Sequence, residues 1–129
     1  MKALLPITLF ILCLVVVQPA TAQQGHGHTT ATAKSLSESE KISQLIEVVR
    51  QMKGATFIRN GTAHTCQEAA EHLEAKWRKH NSKIKSAEDF ITYLATKSST
   101  SGEPYMIRFE DGSETPTAEV LREALGQLK

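Results

Sequence analysis

The order of local signals along this chain predicts an α+β fold, in which two β-hairpins form a small antiparallel sheet packed against three to four helices in the order α-ββ-α-α-ββ-α. Two sets of residues carry that prediction. Asn60-Gly61 and Asp111-Gly112 are hairpin-turn dipeptides set between short strand-forming runs. Ser37-x-x-Glu40, Thr65-x-x-Glu68 and Ser86-x-x-Asp89 are helix-start signatures, each followed by apolar residues at helical spacing. Each helix then has one apolar stripe, and laying the stripes on one face of a joined sheet is the simplest way to bury them all.

The chain opens with Lys2, an apolar run from Ala3 to Val17 and the small-residue triplet Ala20-Thr21-Ala22. That layout is the layout of a cleavable secretory signal over residues 1–22. It predicts a periplasmic or secreted protein that begins at Gln23 and does not span the membrane once the signal is removed. Residues 23–36, rich in Gln, Gly, His, Thr and Ala with no apolar periodicity, read as a flexible tether. Residues 37–129 are enough for a single α+β domain and not for two.

Within that domain, Ser37 and Glu40 cap a first helix carrying Ile42, Leu45, Ile46, Val49 and Met52, with Gly54 as its stop. Thr56 to Thr65 folds back on itself at Asn60-Gly61, because a two-residue type I′ turn needs two positive-φ residues. Closure at that turn pairs Arg59 with Thr62, Ile58 with Ala63 and Phe57 with His64. A second helix follows Thr65, with Ala69, Ala70, Leu73 and Trp77 as its buried stripe, and ends near His80. Ser86 opens a shorter helix through Phe90, Ile91 and Leu94. Tyr105, Ile107 and Phe109 alternate as a strand that Asp111-Gly112 turns tightly into Ser113-Glu114-Thr115. Pro116 suits the first position of a last helix, whose core face is Leu121, Leu125 and Leu128.

Charge and cysteine content exclude several classes. Without Lys2, basic and acidic residues balance, so nothing global argues for nucleic acid or an anionic membrane surface as partner. The basic run Lys76, Arg78, Lys79, Lys83 and Lys85 around Trp77 reads as a charged helix end. Cys13 leaves with the signal and Cys66 remains alone, so no intramolecular disulfide forms and the apolar core must hold the fold.

Three constellations could carry chemistry. Cys66 falls in the first turn of the second helix, where the helix dipole favours a thiolate, and His64 is close enough in sequence to act as base or counter-charge. The plainer reading is a small apolar residue filling the strand-to-helix corner. Ser98 to Gly102, with Lys97 before it and Tyr105 after it, has the hydroxyls and amides of an anion-binding loop, and Lys97, Ser98, Ser99, Ser101 and Tyr105 are its candidate contacts. An ordinary solvated loop explains the same residues. His26-Gly27-His28 offers two imidazoles on the tether, and His64, Cys66, His72 and His80 lack the paired spacing of a structural zinc site, so no metal and no cofactor is expected.

Phe57-Ile58-Arg59-Asn60-Gly61, His64-Thr65-Cys66-x-x-Ala69-x-x-His72-Leu73, Ser86-Ala87-Glu88-Asp89-Phe90-Ile91 and Ser98-Ser99-Thr100-Ser101-Gly102-Glu103-Pro104-Tyr105 together resemble the YfeK-like family of small exported bacterial proteins, a domain of unknown function. The resemblance runs from Ser37 to Leu128. It implies a bacterial source and an envelope or extracellular location, and it implies no activity. The functional expectation is a non-catalytic binding or adaptor domain whose partner is an envelope protein, peptide or glycan. The alternative is a small thiol-dependent enzyme or redox sensor built on Cys66 and His64.

Overall fold

Asn60 and Gly61 both take left-handed backbone angles, φ 52° and 72°, and close the first hairpin in two residues. Strand β1 (Thr56–Arg59) pairs with β2 (Thr62–Thr65) in the register that this turn requires, with Phe57 opposite His64 and Arg59 opposite Thr62. The computed structural model describes residues 34–128. The expected signal, His26-Gly27-His28 and most of the tether lie outside them.

Two further strands, β3 (Met106–Arg108) and β4 (Glu114–Pro116), form the second hairpin, and β3 pairs antiparallel with β1 to give a four-stranded sheet ordered β2-β1-β3-β4. The architecture is mixed α+β in the expected order, with a single sheet. The second turn differs from expectation. Arg108 pairs with Glu114, so five residues separate the strands and Phe109, expected within the strand, lies in the turn. Only Gly112 takes a positive φ there, 84°. Asp111 stays out of the left-handed region and spends its carboxylate on the backbone N–H of Ser113 at 2.9 Å, an Asx turn that widens the loop.

The helices begin where their caps stand. In α1 (Glu38–Arg50) Ser37 and Glu40 complete a reciprocal capping box, and in α2 (Cys66–His80) Thr65 and Glu68 do the same. Helix α1 ends at Arg50, before Gly54, which leaves Met52 beyond the helix and half-buried against the core. At the third start, the Ser86 hydroxyl accepts from Asp89 N, while the Asp89 carboxylate reaches back to Lys85 N instead of to the cap.

From that start the chain makes only one α turn, α3 (Ala87–Asp89), and runs into a π-helix, π1 (Phe90–Ala95). The Thr96 hydroxyl donates to Ile91 O at 2.7 Å, a span of five residues that suits the wider turn. Phe90, Ile91, Leu94 and Ala95 are buried while Tyr93 faces outward. Helix α4 (Thr117–Gln127) starts one residue later than expected, because Pro116 still pairs with Met106 as the last residue of β4.

The core lies on the sheet face of Phe57, Tyr105 and Ile107, under Leu45, Val49, Leu73, Phe90, Ile91 and Leu121. Of the expected core face of α4, Leu121 is fully buried, whereas Leu125 and Leu128 are half-buried. Trp77, expected in the core, is half-buried on the seam between α1 and α2, beside Ile46, Arg50 and Glu74. The Glu38 carboxylate accepts from Ala87 N at 2.8 Å and ties the start of α1 to the start of α3.

Candidate functional site

Side chains two apart on a strand share a face, so Arg59 stands on the same side of the sheet as Phe57, at the hairpin end. On α2, His72 and Lys76 are one turn apart and therefore neighbours on the helix surface. The fold brings these three cationic or titratable groups to one buried phenol, that of Tyr105, which is 1% exposed. Tyr105 is clamped at its backbone: its N–H donates to Thr96 O at 3.0 Å, and its carbonyl accepts from Thr117 N at 2.9 Å. Its ring lies tilted against Phe57, with centroids 5.1 Å apart.

Arg59 Nη1 is 3.0 Å from His72 Nδ1, and His72 Nε2 is 3.1 Å from the Tyr105 hydroxyl. The same Nη1 lies 3.2 Å from Nε2; a guanidinium only donates, so a ring nitrogen accepts from it, and the direction of the hydrogen bond between Nε2 and the Tyr105 oxygen follows the imidazole tautomer. Lys76 Nζ donates to the same oxygen at 3.3 Å and to Leu94 O at 2.7 Å, and its charge lies 5.1 Å from the centre of the phenol ring. The Tyr105 hydroxyl, which can donate as well as accept, is thus held between His72 and Lys76.

The electrostatics are set by burial. Burial, then the charges of Arg59, Lys76 and His64, depress the His72 pKa to about 4, so the imidazole is neutral at physiological pH. Burial, then Arg59, lowers that of Lys76. Burial raises that of Tyr105, with Arg59 pulling the other way. A pocket of about 270 Å³ opens over this cluster, lined also by Asn60, Lys79, His80, Ser98, Ser99 and Thr100. No Asp or Glu lines it, and among the described residues no carboxylate lies within 4 Å of Arg59, Lys76 or Lys79.

Of the residues singled out as an anion-binding loop, Ser98, Ser99 and Tyr105 line this pocket. Ser98 is buried, and its hydroxyl accepts from Thr100 N and Ser101 N, bracing the loop. Ser101 donates to the Asn60 side chain, which docks the loop on the first hairpin turn. Lys97 is exposed and bridges to Pro104 outside the pocket. The carbonyl charge at the end of π1 is met by Lys76, through Leu94 O, so it does not face the pocket unopposed.

His64 and Cys66 sit elsewhere, on the far side of α2's first turn. Cys66 is buried, and its Sγ–H donates to Ala55 O at 3.3 Å. Burial raises the thiol pKa, opposite to what a reactive cysteine needs. His64 Nδ1 is 4.0 Å from the Glu68 carboxylate, and its buried Nε2 has no partner. No hydrogen bond joins His64 to Cys66 among the described residues. Nor do those residues hold a cluster of three His, Cys, Asp or Glu placed for a metal.

Arg59, His72, Lys76 and Lys79 were not predictable as a site from any linear motif. The signal that could have found them is register. Arg59 stands in phase with Phe57 on the core face of its strand, and His72 and Lys76 flank the Ala69–Leu73 stripe of theirs, so both elements place polar groups at the margin of the core.

A small α+β domain with one antiparallel sheet and a cationic, carboxylate-free pocket is what fold and site define, and residues 36–129 match the family of unknown function DUF5329. The chain belongs to that family. It is similar to the uncharacterized protein YfeK of Salmonella typhimurium, at 41% identity over 68 residues, which are 53% of this chain and 57% of that protein. The chain thus spans little more than half the length of the curated relative it matches. No solved structure matches it. No helix among the described residues is long and apolar enough to cross a membrane.

Proposed function

We propose that this is an exported bacterial envelope protein whose domain is a non-catalytic binding or adaptor module, and that the pocket over Tyr105 takes a small anionic group such as a phosphate or carboxylate. One observation carries the reading: Arg59, Lys76 and Lys79 converge on a hydroxyl donor with no carboxylate among the lining residues. The pKa values of His72 and Lys76 are pushed down by burial first and by the neighbouring Arg59 charge second, so positive charge is held in this pocket at a cost. A bound anion relieves it, and Arg59 offers the planar donor fork suited to oxyanions.

Thermal unfolding of the protein in increasing inorganic phosphate tests this. Stability should rise with ligand, approaching about 2.7 kcal/mol at a hundredfold excess over Kd. Arg59→Gln should abolish the rise. An equal rise in wild type and variant would place the anion effect elsewhere on the surface.

The envelope location is supported by the signal-like layout of residues 1–22, and the bacterial source by the Salmonella relative. Intact mass of the chain recovered from expressing cells should start at Gln23, and retention of residues 1–22 would count against export. The thiol-enzyme alternative is disfavoured by the Cys66 proton's engagement with Ala55 O.

A further inference from the structure

We propose that the anion bound over Tyr105 is the head of a ring-bearing molecule, whose ring lies in the adjoining groove against Tyr93. This inference rests on the anion-pocket reading above. The groove holds about 450 Å³ and is lined by His80, Lys83, Ile84, Tyr93, Leu94 and Ser99. His80 and Ser99 also line the anion pocket, so the two spaces adjoin at the end of α2 and the start of the 98–104 loop.

The two spaces differ in chemistry. The first presents fixed positive charge and a phenol donor. The second has an apolar floor of Ile84 and Leu94, both nearly buried, and a wall formed by Tyr93. Tyr93 is 68% exposed and is the large hydrophobic side chain left facing solvent among the described residues. The π-helical turn sets it there, since Phe90, Ile91, Leu94 and Ala95 all point inward.

Neither space is filled by a simple ligand. An inorganic anion leaves the groove empty, and an uncharged ring leaves the cations without a counter-charge. A molecule with an anionic head and a planar or sugar ring satisfies both, because the Tyr93 face and the apolar floor accept a ring by stacking and burial. No carboxylate lines either space, so nothing along the path repels the head group.

Binding of inorganic phosphate, phenyl phosphate and glucose 1-phosphate to the chain recovered from expressing cells, followed by NMR shift titration, tests the inference. At least one ring-bearing phosphate should bind tenfold or more tightly than inorganic phosphate, and which of the two does so distinguishes an aromatic from a sugar ring. Tyr93→Ala should bring that ligand to within twofold of inorganic phosphate while inorganic phosphate itself binds unchanged. Arg59→Gln should weaken all three.

Inorganic phosphate binding with no gain from either ring, or a gain that survives Tyr93→Ala, overturns the inference and leaves the anion pocket standing. Absence of binding by all three overturns both.

Discussion

Tyr105 shows how much one residue's environment can decide. Its backbone is clasped between π1 and α4, its ring packs on Phe57, and its hydroxyl is hydrogen-bonded to His72 and Lys76. Tyr105→Phe should keep the packing yet weaken phosphate binding several-fold, as the loss of a donor to a charged group does. His72 gives a pH signature. In the unfolded chain it takes a proton near pH 6.5, whereas folded it stays neutral down to about 4. The unfolded state therefore binds more protons between those values, and stability falls as pH drops through that window and is flat above it. Allowing for partial exposure, the loss is about 1–2 kcal/mol. Urea unfolding at pH 7 and pH 4.5 should show it, and His72→Gln should remove most of the slope. At Cys66, burial and the Ala55 carbonyl keep the proton on sulfur, so alkylation near pH 7 should be at least tenfold slower in native than in denatured protein. Faster native alkylation would restore the thiol reading. Cys66 and His64 are two residues apart and so legible as a pair in the sequence, whereas Arg59, His72 and Tyr105 meet only through packing.

Elements with local causes were the legible ones. The Asn60-Gly61 turn dictates its own register, and the Ser37 and Thr65 boxes name their helix starts, because each depends on residues within a few positions of one another. Thr65→Ala should cost about 1 kcal/mol in chemical denaturation, with Thr65→Ser near neutral, since the hydroxyl is what accepts from Glu68 N. Trp77→Ala belongs on the α1–α2 seam and should cost about 1.5–3 kcal/mol, less than a fully buried aromatic. The less legible elements are those in which two geometries fit one pattern. Asp-Gly serves a tight turn or an Asx loop, and Asp111 chose the latter. The apolar positions 90, 91, 94 and 95 fit an α-helix as well as a π-helix, and Thr96 tips the balance through Ile91 O.

At the scale of the whole molecule, charge is sorted although it nearly cancels. Carboxylates pair with arginines along α1 and α2 and on the β3–β4 face, as at Glu74 with Arg50 and Arg78 and at Glu114 with Arg108, while the pocket cations keep no such partner among the described residues. Net charge therefore conceals the site. Raising ionic strength from about 0.01 to about 0.15 M shortens the screening length from about 30 to about 8 Å, and should weaken phosphate binding measurably.

The central pairing of the sheet has a consequence for the chain as it is made. Phe57 lies opposite Ile107, so β1 must wait for its neighbour until most of the polypeptide has emerged. A product stopped between His80 and Tyr105 would contain the residues of the first hairpin and α2, Arg59 and His72 among them, yet lack both β3 and the phenol at the bottom of the pocket. Truncated molecules would be left with exposed apolar surface and an incomplete pocket. Only a chain that has reached Tyr105 carries the complete pocket lining.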